Sequence, residues 1–413
     1  MKVLKHWLRL WKNLKINMVK KTQQVFKILT LNQISSVGLK QFPADQYLIG
    51  HDLVDPDVIL VRSHNMLDMD IPKHVIAIGR AGAGTNNIPV DAMSQRGIPV
   101  FNTPGANANA VKELVLAAML IASRNLVSAF QFVEGLQGDN QKLNELVEAN
   151  KKHFSGIELP GRTLGIVGLG KIGRLVADAA LKLGMKVMGY DPKISVDAAW
   201  SLSAEVQRAQ SIEDLLRHSD FISLHVPLAD STRHLINEQL IHYFKREVIL
   251  LNFSRDEIVS EAAVLAGIKS GKIKYYVCDF PSQHLQNEKG VITLPHLGAS
   301  TREAEENCAV MVVKQTIDHL QNGNIKNTVN FPDVIMERES PYRVAVANAN
   351  VPNLLGQIST CMATAGLNIH NMTNKSRGEM AYTLVDVDSP VSKQVIKAIS
   401  LITGVLKVRY LPV

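Results

Sequence analysis

Residues 164–191 read LGIVGLGKIGRLVADAALKLGMKVMGYD, and this stretch decides the fold class of the chain. It describes an apolar strand, a glycine turn, a helix, a second strand and a terminal acid, which is the order of a dinucleotide-binding unit. Gly168 permits the tight turn, Gly170 lets the backbone approach a pyrophosphate, and Gly173 lets the helix lie close to the sheet. The helix N-terminus then offers free N–H groups and a positive dipole end to the phosphates.

Asp191 closes the second strand, where a carboxylate accepts hydrogen bonds from ribose hydroxyls and repels the additional phosphate of NADP. A G-x-G-x-x-G pattern alone also occurs in turns that bind nothing. Here the strand, the helix and the acid all stand where the site needs them, so we expect NAD as the cofactor.

Length and composition bound the remaining possibilities. A chain of 413 residues predicts two or three domains, and 46% hydrophobic and 20% charged residues are ordinary for a globular protein. The net charge of +7 is accounted for by residues 1–21, which hold seven basic residues and no acid. Because the rest of the chain is close to neutral, we expect no nucleic-acid partner for the folded domains.

The basic extension, residues 1–21, places Trp7 and Trp11 among leucines. It could lie on an anionic membrane or act as a targeting peptide, yet it lacks the apolar core and cleavage site of a signal peptide. We expect translation to begin at Met18 and this extension to stand outside the fold. The most apolar helical stretch, Val111 to Ser123, is too short to span a bilayer, so no membrane partner is expected.

Three widely spaced cysteines, an odd number without a Cys/His cluster, indicate a reduced, cytoplasmic protein with no metal site. From Phe26 onward, apolar strands alternate with helices, which predicts an α/β protein. We expect an NAD-binding domain over residues 116–299, inserted in a discontinuous substrate-binding domain over 22–115 and 300–330. Residues 338–413 predict a final β-α-β-β-α-β unit with a hairpin near Arg377 and Gly378.

Three polar residues follow strands of the expected NAD domain, at the edge where such folds keep their sites. His296 offers an imidazole that can accept a hydroxyl proton as hydride leaves. Arg255 offers a planar guanidinium that can hold a carboxylate or a carbonyl oxygen. His225 is expected to line the cofactor groove. Each alone is more often a solvated surface group, but their joint placement favours a site.

The series VGLGKIG (167–173), LHVPL (224–228), NFSR (252–255) and PHLGAS (295–300) resembles the D-isomer-specific 2-hydroxyacid dehydrogenases, and within them the phosphoglycerate dehydrogenases. The resemblance extends from about Phe26 to Val413. It implies a Rossmann-type doubly wound NAD domain, a flavodoxin-like substrate domain and a C-terminal ACT domain of ferredoxin-like fold. It also implies oxidation of phosphoglycerate to phosphohydroxypyruvate, the first step of serine synthesis, by a catalytic arginine, an acidic residue and a histidine.

On the matching motifs, Arg255 and His296 take the catalytic roles. Further cofactor contacts implied by the resemblance fall on Lys171, Ile172, Asp191, Phe253, Ser254, Asp279, Leu297 and Gly298. Substrate carboxylate and phosphate are expected at Arg62, Ser63, Arg80 and Gly82, because arginines and glycine-exposed N–H groups suit an anionic substrate.

The segment CDFPSQHLQNE, residues 278–288, departs from the family, which has a Glu close after D-V-F as the partner of the histidine. Gln283 stands nearest the place of that Glu and cannot stabilise an imidazolium as a charge does. Either Asp279 or Glu288 substitutes, or His296 works with a weaker partner; we favour Asp279. Asp256 also replaces the glycine that generally follows the arginine.

The C-terminal unit is expected to bind an amino-acid effector, serine by family pattern, through Asn348, Asn350 and Asn368. Amide side chains both donate and accept hydrogen bonds, which suits a zwitterion. Pairing without any ligand is the alternative. Asn353 stands where glycine is more usual. The preferred hypothesis is a homodimeric or homotetrameric NAD-dependent phosphoglycerate dehydrogenase with serine feedback. The alternatives are a reductase of an unphosphorylated 2-keto acid, such as hydroxypyruvate or 2-oxoglutarate, and a non-catalytic NAD-sensing regulator.

Overall fold

A computed structural model describes residues 25–413, so the basic extension and the expected start at Met18 lie outside the described residues. The chain forms two compact units, one of residues up to Pro104 together with Glu306–Val413, and one of Gly105–Glu305. The expected domain boundaries after residues 115 and 299 stay predictions. The first unit contains both the first sheet and the last sheet of the chain.

The first sheet is parallel, with the strand order β2-β1-β3-β4-β5 that defines a flavodoxin-like layer. This confirms the expected fold of the substrate-binding part. Apolar runs such as VILV at 58–61 are fully buried, because helices cover both faces of a parallel sheet. The elements are β1 (Phe26–Leu31), α1 (Ser36–Leu39), β2 (Tyr47–Gly50), β3 (Val58–Val61), β4 (Ala77–Arg80), α2 (Val90–Gln95) and β5 (Val100–Phe101).

The second unit is built on a parallel sheet of order β12-β11-β10-β9-β6-β7-β8, the doubly wound order expected for a dinucleotide domain. The strand order reverses between β6 and β9, so a crevice opens at their carboxyl ends. The strands are β6 (Thr163–Val167), β7 (Lys186–Tyr190), β8 (Gln207–Arg208), β9 (Phe221–Leu224), β10 (Val248–Asn252), β11 (Ile273–Cys278) and β12 (Val291–Thr293). The helices are α3 (Ala108–Ser123), α4 (Leu126–Glu134), α5 (Asn140–Asn150), α6 (Lys171–Lys182), α7 (Val196–Trp200), α8 (Ile212–His218), α9 (Glu238–Ile241) and α10 (Glu261–Lys269).

The long helix α11 (Arg302–Asn322) carries the chain from the second unit back into the first. After it comes an antiparallel sheet of order β14-β15-β13-β16, which confirms the β-α-β-β-α-β prediction. Gly378, at φ +58°, turns the predicted hairpin between β14 and β15. The elements are β13 (Tyr342–Ala349), α12 (Leu354–Thr364), β14 (Ile369–Arg377), β15 (Met380–Val387), α13 (Lys393–Ser400) and β16 (Val405–Pro412).

Side chains from residues 338–409 cap the carboxyl end of α11. The last carbonyls of a helix have no partner within the helix, so side-chain donors from elsewhere stabilise it. Positive guanidinium groups also suit the negative end of the helix dipole. The bonds are Arg409 Nη1 to His319 O (3.1 Å), Arg409 Nη2 to Leu320 O (3.0 Å), Arg338 Nη1 to Gln321 O (2.9 Å), Arg343 Nη1 to Asn322 O (3.0 Å) and Tyr382 Oη to Gly323 O (2.8 Å).

Between residues 25 and 413, no single helix has the length and apolar character needed to cross a membrane. One pair of helices, α3 and α4, passes by length and composition together, but the two are bent by 65°. Half of the residues of α3 are buried against the second sheet, as expected for a core helix.

Candidate active site

The glycine turn between β6 and α6 has the geometry that its sequence predicts. Gly168 adopts φ +94°, and a Cβ atom there would lie 2.7 Å from the His225 carbonyl oxygen. A Cβ at Gly173 would lie 2.0 Å from the Gly168 carbonyl oxygen, so only glycine lets the helix approach this closely. Gly170 is the N-cap of α6, and among the described residues no side chain caps that end. The first-turn N–H groups are therefore suited to a diphosphate.

Asp191 connects the end of β7 to this turn. Its Oδ2 accepts a hydrogen bond from Leu169 N at 2.9 Å, and its Oδ1 accepts one from Lys193 N at 3.0 Å. Each carboxylate oxygen can accept a second bond, so the group remains able to hold ribose hydroxyls. The bond to Leu169 was not expected from the sequence, and it means that Asp191 also shapes the glycine turn.

His225 lies at the end of β9 beside the same turn. Its Nε2 shares a hydrogen bond of 2.9 Å with Ser223 Oγ, while its Nδ1 is buried and has no partner among the described residues. Burial lowers the pKa of this imidazole to about 4, so the ring is neutral near pH 7. A buried nitrogen without a partner next to a phosphate-binding turn fits a residue that completes its hydrogen bonds with a ligand.

Arg255 follows β10 in a turn fixed by its neighbours. Ser254 Oγ donates to Leu224 O at 2.7 Å, and Asn252 Nδ2 donates to Arg255 O at 2.8 Å. The Arg255 side chain is exposed, and its Nη1 donates to Ser254 O at 2.6 Å. Phe253 is 7% exposed and packs in the core, so it offers a ligand its backbone rather than its ring. Sequence reasoning included Asn252 in the NFSR motif but assigned it no role.

Asp279 follows β11 and binds the loop that carries the histidine. Its Oδ1 accepts a bond from Leu297 N and its Oδ2 one from Gly298 N, each at 2.7 Å. The carboxylate is 2% exposed, so these charge-assisted bonds satisfy a buried charge. Each Asp279 oxygen thus accepts one bond from the loop backbone, and the pairing of Asp279 with the imidazole stays a prediction.

His296 is exposed and adopts φ +57°, the left-handed conformation. Its ring contacts the Phe280 ring edge-on, with centroids 5.4 Å apart and an interplanar angle of 82°. Gln283 and Glu288, the other candidate partners, are exposed in the preceding loop. Among the described residues, the His296 imidazole thus contacts an aromatic ring and not an ionic partner. The sequence could not indicate this, since Phe280 and His296 are brought together by the loops after β11 and β12.

The expected substrate residues lie in the first unit, at the carboxyl ends of β3 and β4. Arg80 Nε donates to Arg62 O at 3.1 Å, which places the two arginine loops side by side with Ser63. Asn87, which sequence reasoning missed, donates to Arg62 O (3.4 Å) and His64 O (2.7 Å). A Cβ at Gly82 would lie 1.6 Å from Arg80 Nη1, so this glycine makes room for the guanidinium.

The three effector candidates lie at two ends of the C-terminal sheet. Asn348 is buried at the end of β13, and Asn350 Nδ2 donates nearby to Gly378 O at 3.0 Å. Asn368 precedes β14 at the opposite end, where its N–H donates to Asp388 Oδ1 at 3.2 Å. The strand register separates the two ends by about seven residues, or roughly 23 Å. One chain therefore does not bring all three amides to one ligand.

Asn353 adopts φ +62° just before α12. Asparagine tolerates this left-handed conformation better than most residues, so it can stand where the family usually has glycine.

Comparisons with known proteins agree with this architecture. A family model described as D-isomer specific 2-hydroxyacid dehydrogenase, NAD binding domain, matches residues 116–300. The D-3-phosphoglycerate dehydrogenase of Escherichia coli is 30% identical over 94% of this chain and 95% of its own length. That of Haemophilus influenzae is 31% identical over 85% of each. That of Methanocaldococcus jannaschii is 36% identical over 69% of this chain, which spans 53% of that relative.

Among solved structures, an NAD⁺-bound 3-phosphoglycerate dehydrogenase of Entamoeba histolytica is 26% identical, with a TM-score of 0.57 over 74% of this chain and 99% of its own. A D-2-hydroxyisocaproate dehydrogenase, 23% identical, shares the fold with a TM-score of 0.61 over 74% of this chain and 100% of its own. The chain belongs to the D-isomer specific 2-hydroxyacid dehydrogenase family. Within it, the relatives that match along nearly the whole chain are named D-3-phosphoglycerate dehydrogenases, as the four sequence motifs predict.

Proposed function

We propose that this protein oxidises D-3-phosphoglycerate to phosphohydroxypyruvate with NAD, the first step of serine biosynthesis. The observation that carries the proposal is the succession of Arg255, Asp279 and His296 after β10, β11 and β12, three adjacent strands of the NAD-binding sheet. Likeness to D-3-phosphoglycerate dehydrogenases over nearly the full chain supports the choice of substrate.

In this proposal Arg255 binds the oxygen of the reacting carbon, which a planar guanidinium can hold by two hydrogen bonds. His296 accepts the hydroxyl proton as the alcohol is oxidised and returns it in the reverse direction. Asp279 acts on this chemistry by holding the histidine loop through Leu297 and Gly298. The NAD molecule supplies the hydride acceptor.

The residues proposed for the cofactor follow the carboxyl ends of strands of the second sheet. The turn and the first residues of α6 would bind the diphosphate, Asp191 the adenosine ribose, and His225 would donate or accept through its free Nδ1. The full set proposed is Gly168, Gly170, Lys171, Ile172, Gly173, Asp191, His225, Phe253, Ser254, Asp279, Leu297 and Gly298.

The phosphate and carboxylate of the substrate are assigned to Arg62, Ser63, Arg80 and Gly82. The bond between Arg80 and the Arg62 backbone supports this, because it brings two guanidinium-bearing loops to one edge of the first sheet. Two nearby arginines suit a substrate that carries both a carboxylate and a phosphate.

We also propose a cytoplasmic homo-oligomer, a dimer or tetramer, that binds serine between two copies of the C-terminal unit. Asn368 can join Asn348 and Asn350 around one ligand only if a second copy supplies it, since the register separates them in one chain. On α4, Val127, Phe130 and Val133 are exposed, and such an apolar face suits contact with a second copy. The free thiols of Cys278 and Cys361 support a reducing compartment.

A spectrophotometric assay of NADH oxidation with phosphohydroxypyruvate, with and without serine, tests these proposals. Turnover that exceeds the rates with hydroxypyruvate and 2-oxoglutarate supports the phosphorylated substrate. Equal or higher rates with the unphosphorylated acids would assign a 2-keto acid reductase instead. NADH binding without turnover of any of these acids would leave the NAD-sensing regulator, the alternative that Gln283 suggests.

A further inference from the structure

The Asn252 side chain makes three hydrogen bonds at the end of β10 although it is completely buried. Its Oδ1 accepts from Ser254 N at 3.2 Å. Its Nδ2 donates to Arg255 O at 2.8 Å and to the Tyr276 hydroxyl at 3.3 Å. Two of these bonds are therefore made to backbone atoms of the turn that carries Arg255, and the third is made to a side chain of the neighbouring strand β11.

The two backbone partners give the amide a single orientation. Ser254 N can only donate and so faces Oδ1, whereas Arg255 O can only accept and so faces Nδ2, which leaves the Tyr276 hydroxyl to accept from Nδ2. Burial raises the pKa of Tyr276 well above its ordinary value and also raises the pKa of the Cys278 thiol beside it. Both groups therefore keep their protons near neutral pH, so the Tyr276 hydroxyl stays uncharged beside the amide. Cys278 in turn donates to Phe280 O at 3.6 Å.

The Arg255 turn is thus held from both neighbouring strands. Ser254 Oγ binds Leu224 O of β9, and Asn252 binds the turn to Tyr276 of β11. The Arg255 side chain itself is exposed, and its Nη1 donates to the adjacent Ser254 carbonyl. Its position over the sheet edge consequently depends on how firmly the backbone of this turn is fixed.

We propose that Asn252 is a positioning residue, which places the Arg255 guanidinium for the substrate by fixing the backbone of residues 254–255. This inference rests on the proposed role of Arg255. A displacement of about 1 Å in a substrate-binding group can lower the rate about 100-fold, so the amide matters although it does not touch the substrate.

The test is a double-mutant cycle of Asn252→Ala with Arg255→Ala, followed by kcat and KM for phosphohydroxypyruvate reduction. In the parent, Asn252→Ala should lower kcat/KM about 10- to 100-fold. In the Arg255→Ala background the same substitution should cost less than about twofold, because no guanidinium is left to place. Circular dichroism checks that each variant keeps the parental fold. Asn237→Ala is the matched control, because Asn237 also accepts a backbone N–H bond, from Leu240, but caps α9 instead.

Equal losses in the two backgrounds, or full activity of Asn252→Ala, would overturn the inference. Parental activity of Arg255→Ala would instead remove the proposed role of Arg255, so the two failures are distinguishable. If Asn252→Ala does not fold, as judged by circular dichroism, Tyr276→Phe replaces it in the cycle. That variant loses one hydroxyl and should show a loss of about 3- to 10-fold only where Arg255 is present; a similar loss in both backgrounds would again contradict the inference.

Discussion

Arg343 and Asp386 form a two-point ion pair in which both side chains are completely buried. Nε lies 2.6 Å from Oδ1, and Nη2 lies 2.8 Å from Oδ2. The other guanidinium N–H groups donate to Asn322 O, Met336 O and Glu337 O, so all five donors are satisfied. The pair therefore joins β13, β15, the end of α11 and the linker that follows it.

Asp386→Asn should lower the free energy of unfolding by about 3–5 kcal/mol, because it leaves the buried Arg343 charge without a counter-charge. Chemical denaturation measures this. Glu148→Gln, which breaks an exposed pair with Lys151, should change the same free energy by less than about 1 kcal/mol. Equal effects of the two substitutions would contradict the importance assigned to burial.

Asp279→Asn should lower kcat and destabilise the protein by about 1–3 kcal/mol, because an amide accepts only one of the two loop N–H bonds. The midpoint of the pH dependence of kcat distinguishes the two roles considered for Asp279, which are holding the loop and pairing with the imidazole. If Asp279 only holds the loop, Asp279→Asn leaves the midpoint of the pH dependence of kcat unchanged. If Asp279 is the partner of the His296 imidazole, the loss of its charge moves that midpoint to lower pH. Glu288→Gln, in the exposed loop, is the comparison.

Asp191→Ser should reduce kcat/KM for NAD. It should also reduce the ratio of kcat/KM with NAD to kcat/KM with NADP. The carboxylate–hydroxyl bonds are each worth about 1.5–3 kcal/mol, so a loss of about 10- to 100-fold is expected with NAD. Saturation kinetics with both cofactors measures it. The nearby Asp197→Ser, in the first turn of α7, should leave the ratio unaltered; a parallel change would mean that general surface charge sets the preference.

His225 should make stability depend on pH. Its pKa is about 4 in the folded state and ordinary in the unfolded state, so between pH 6.5 and 4 the unfolded chain binds the additional proton. The contribution of the neutral His225 ring to the free energy of unfolding is complete above pH 6.5. It is lost as the pH falls towards 4, with a slope of up to about 1.4 kcal/mol per pH unit. His225→Gln should flatten the unfolding free energy in this window, and the exposed His153→Gln should not. His319, whose pKa burial also lowers, adds a slope of the same sign in all variants.

The sequence predicted those parts of the fold that local patterns encode. The glycine turn at Gly168, the buried parallel strands and the hairpin at Gly378 each carry a residue-level signal, and the structure shows all three. The edge strands β2 and β8 were not predicted, because Tyr47–Gly50 and Gln207–Arg208 are short and partly exposed. Such strands form through pairing with a neighbour rather than through their own apolar pattern.

Bonds between side chains and distant backbone could not be predicted. The Asn252, Asn87 and Asp279 bonds depend on where loops from different strands meet, and no spacing along the chain encodes that. The amides at 348, 350 and 368 show the opposite case, in which a sequence pattern predicts a proximity that one chain does not provide. They match one ligand-binding pattern in sequence, while the antiparallel register sends them to opposite ends of the sheet.

The capped carboxyl end of α11 has a practical consequence for anyone who wishes to shorten the protein. A chain ended before residue 338 would lose the five side-chain bonds described above to the carbonyls of residues 319–323, and it would expose the surface on which Tyr382 and Leu411 now pack. The last 76 residues are thus an integral part of the first unit, and removing them would delete part of its core.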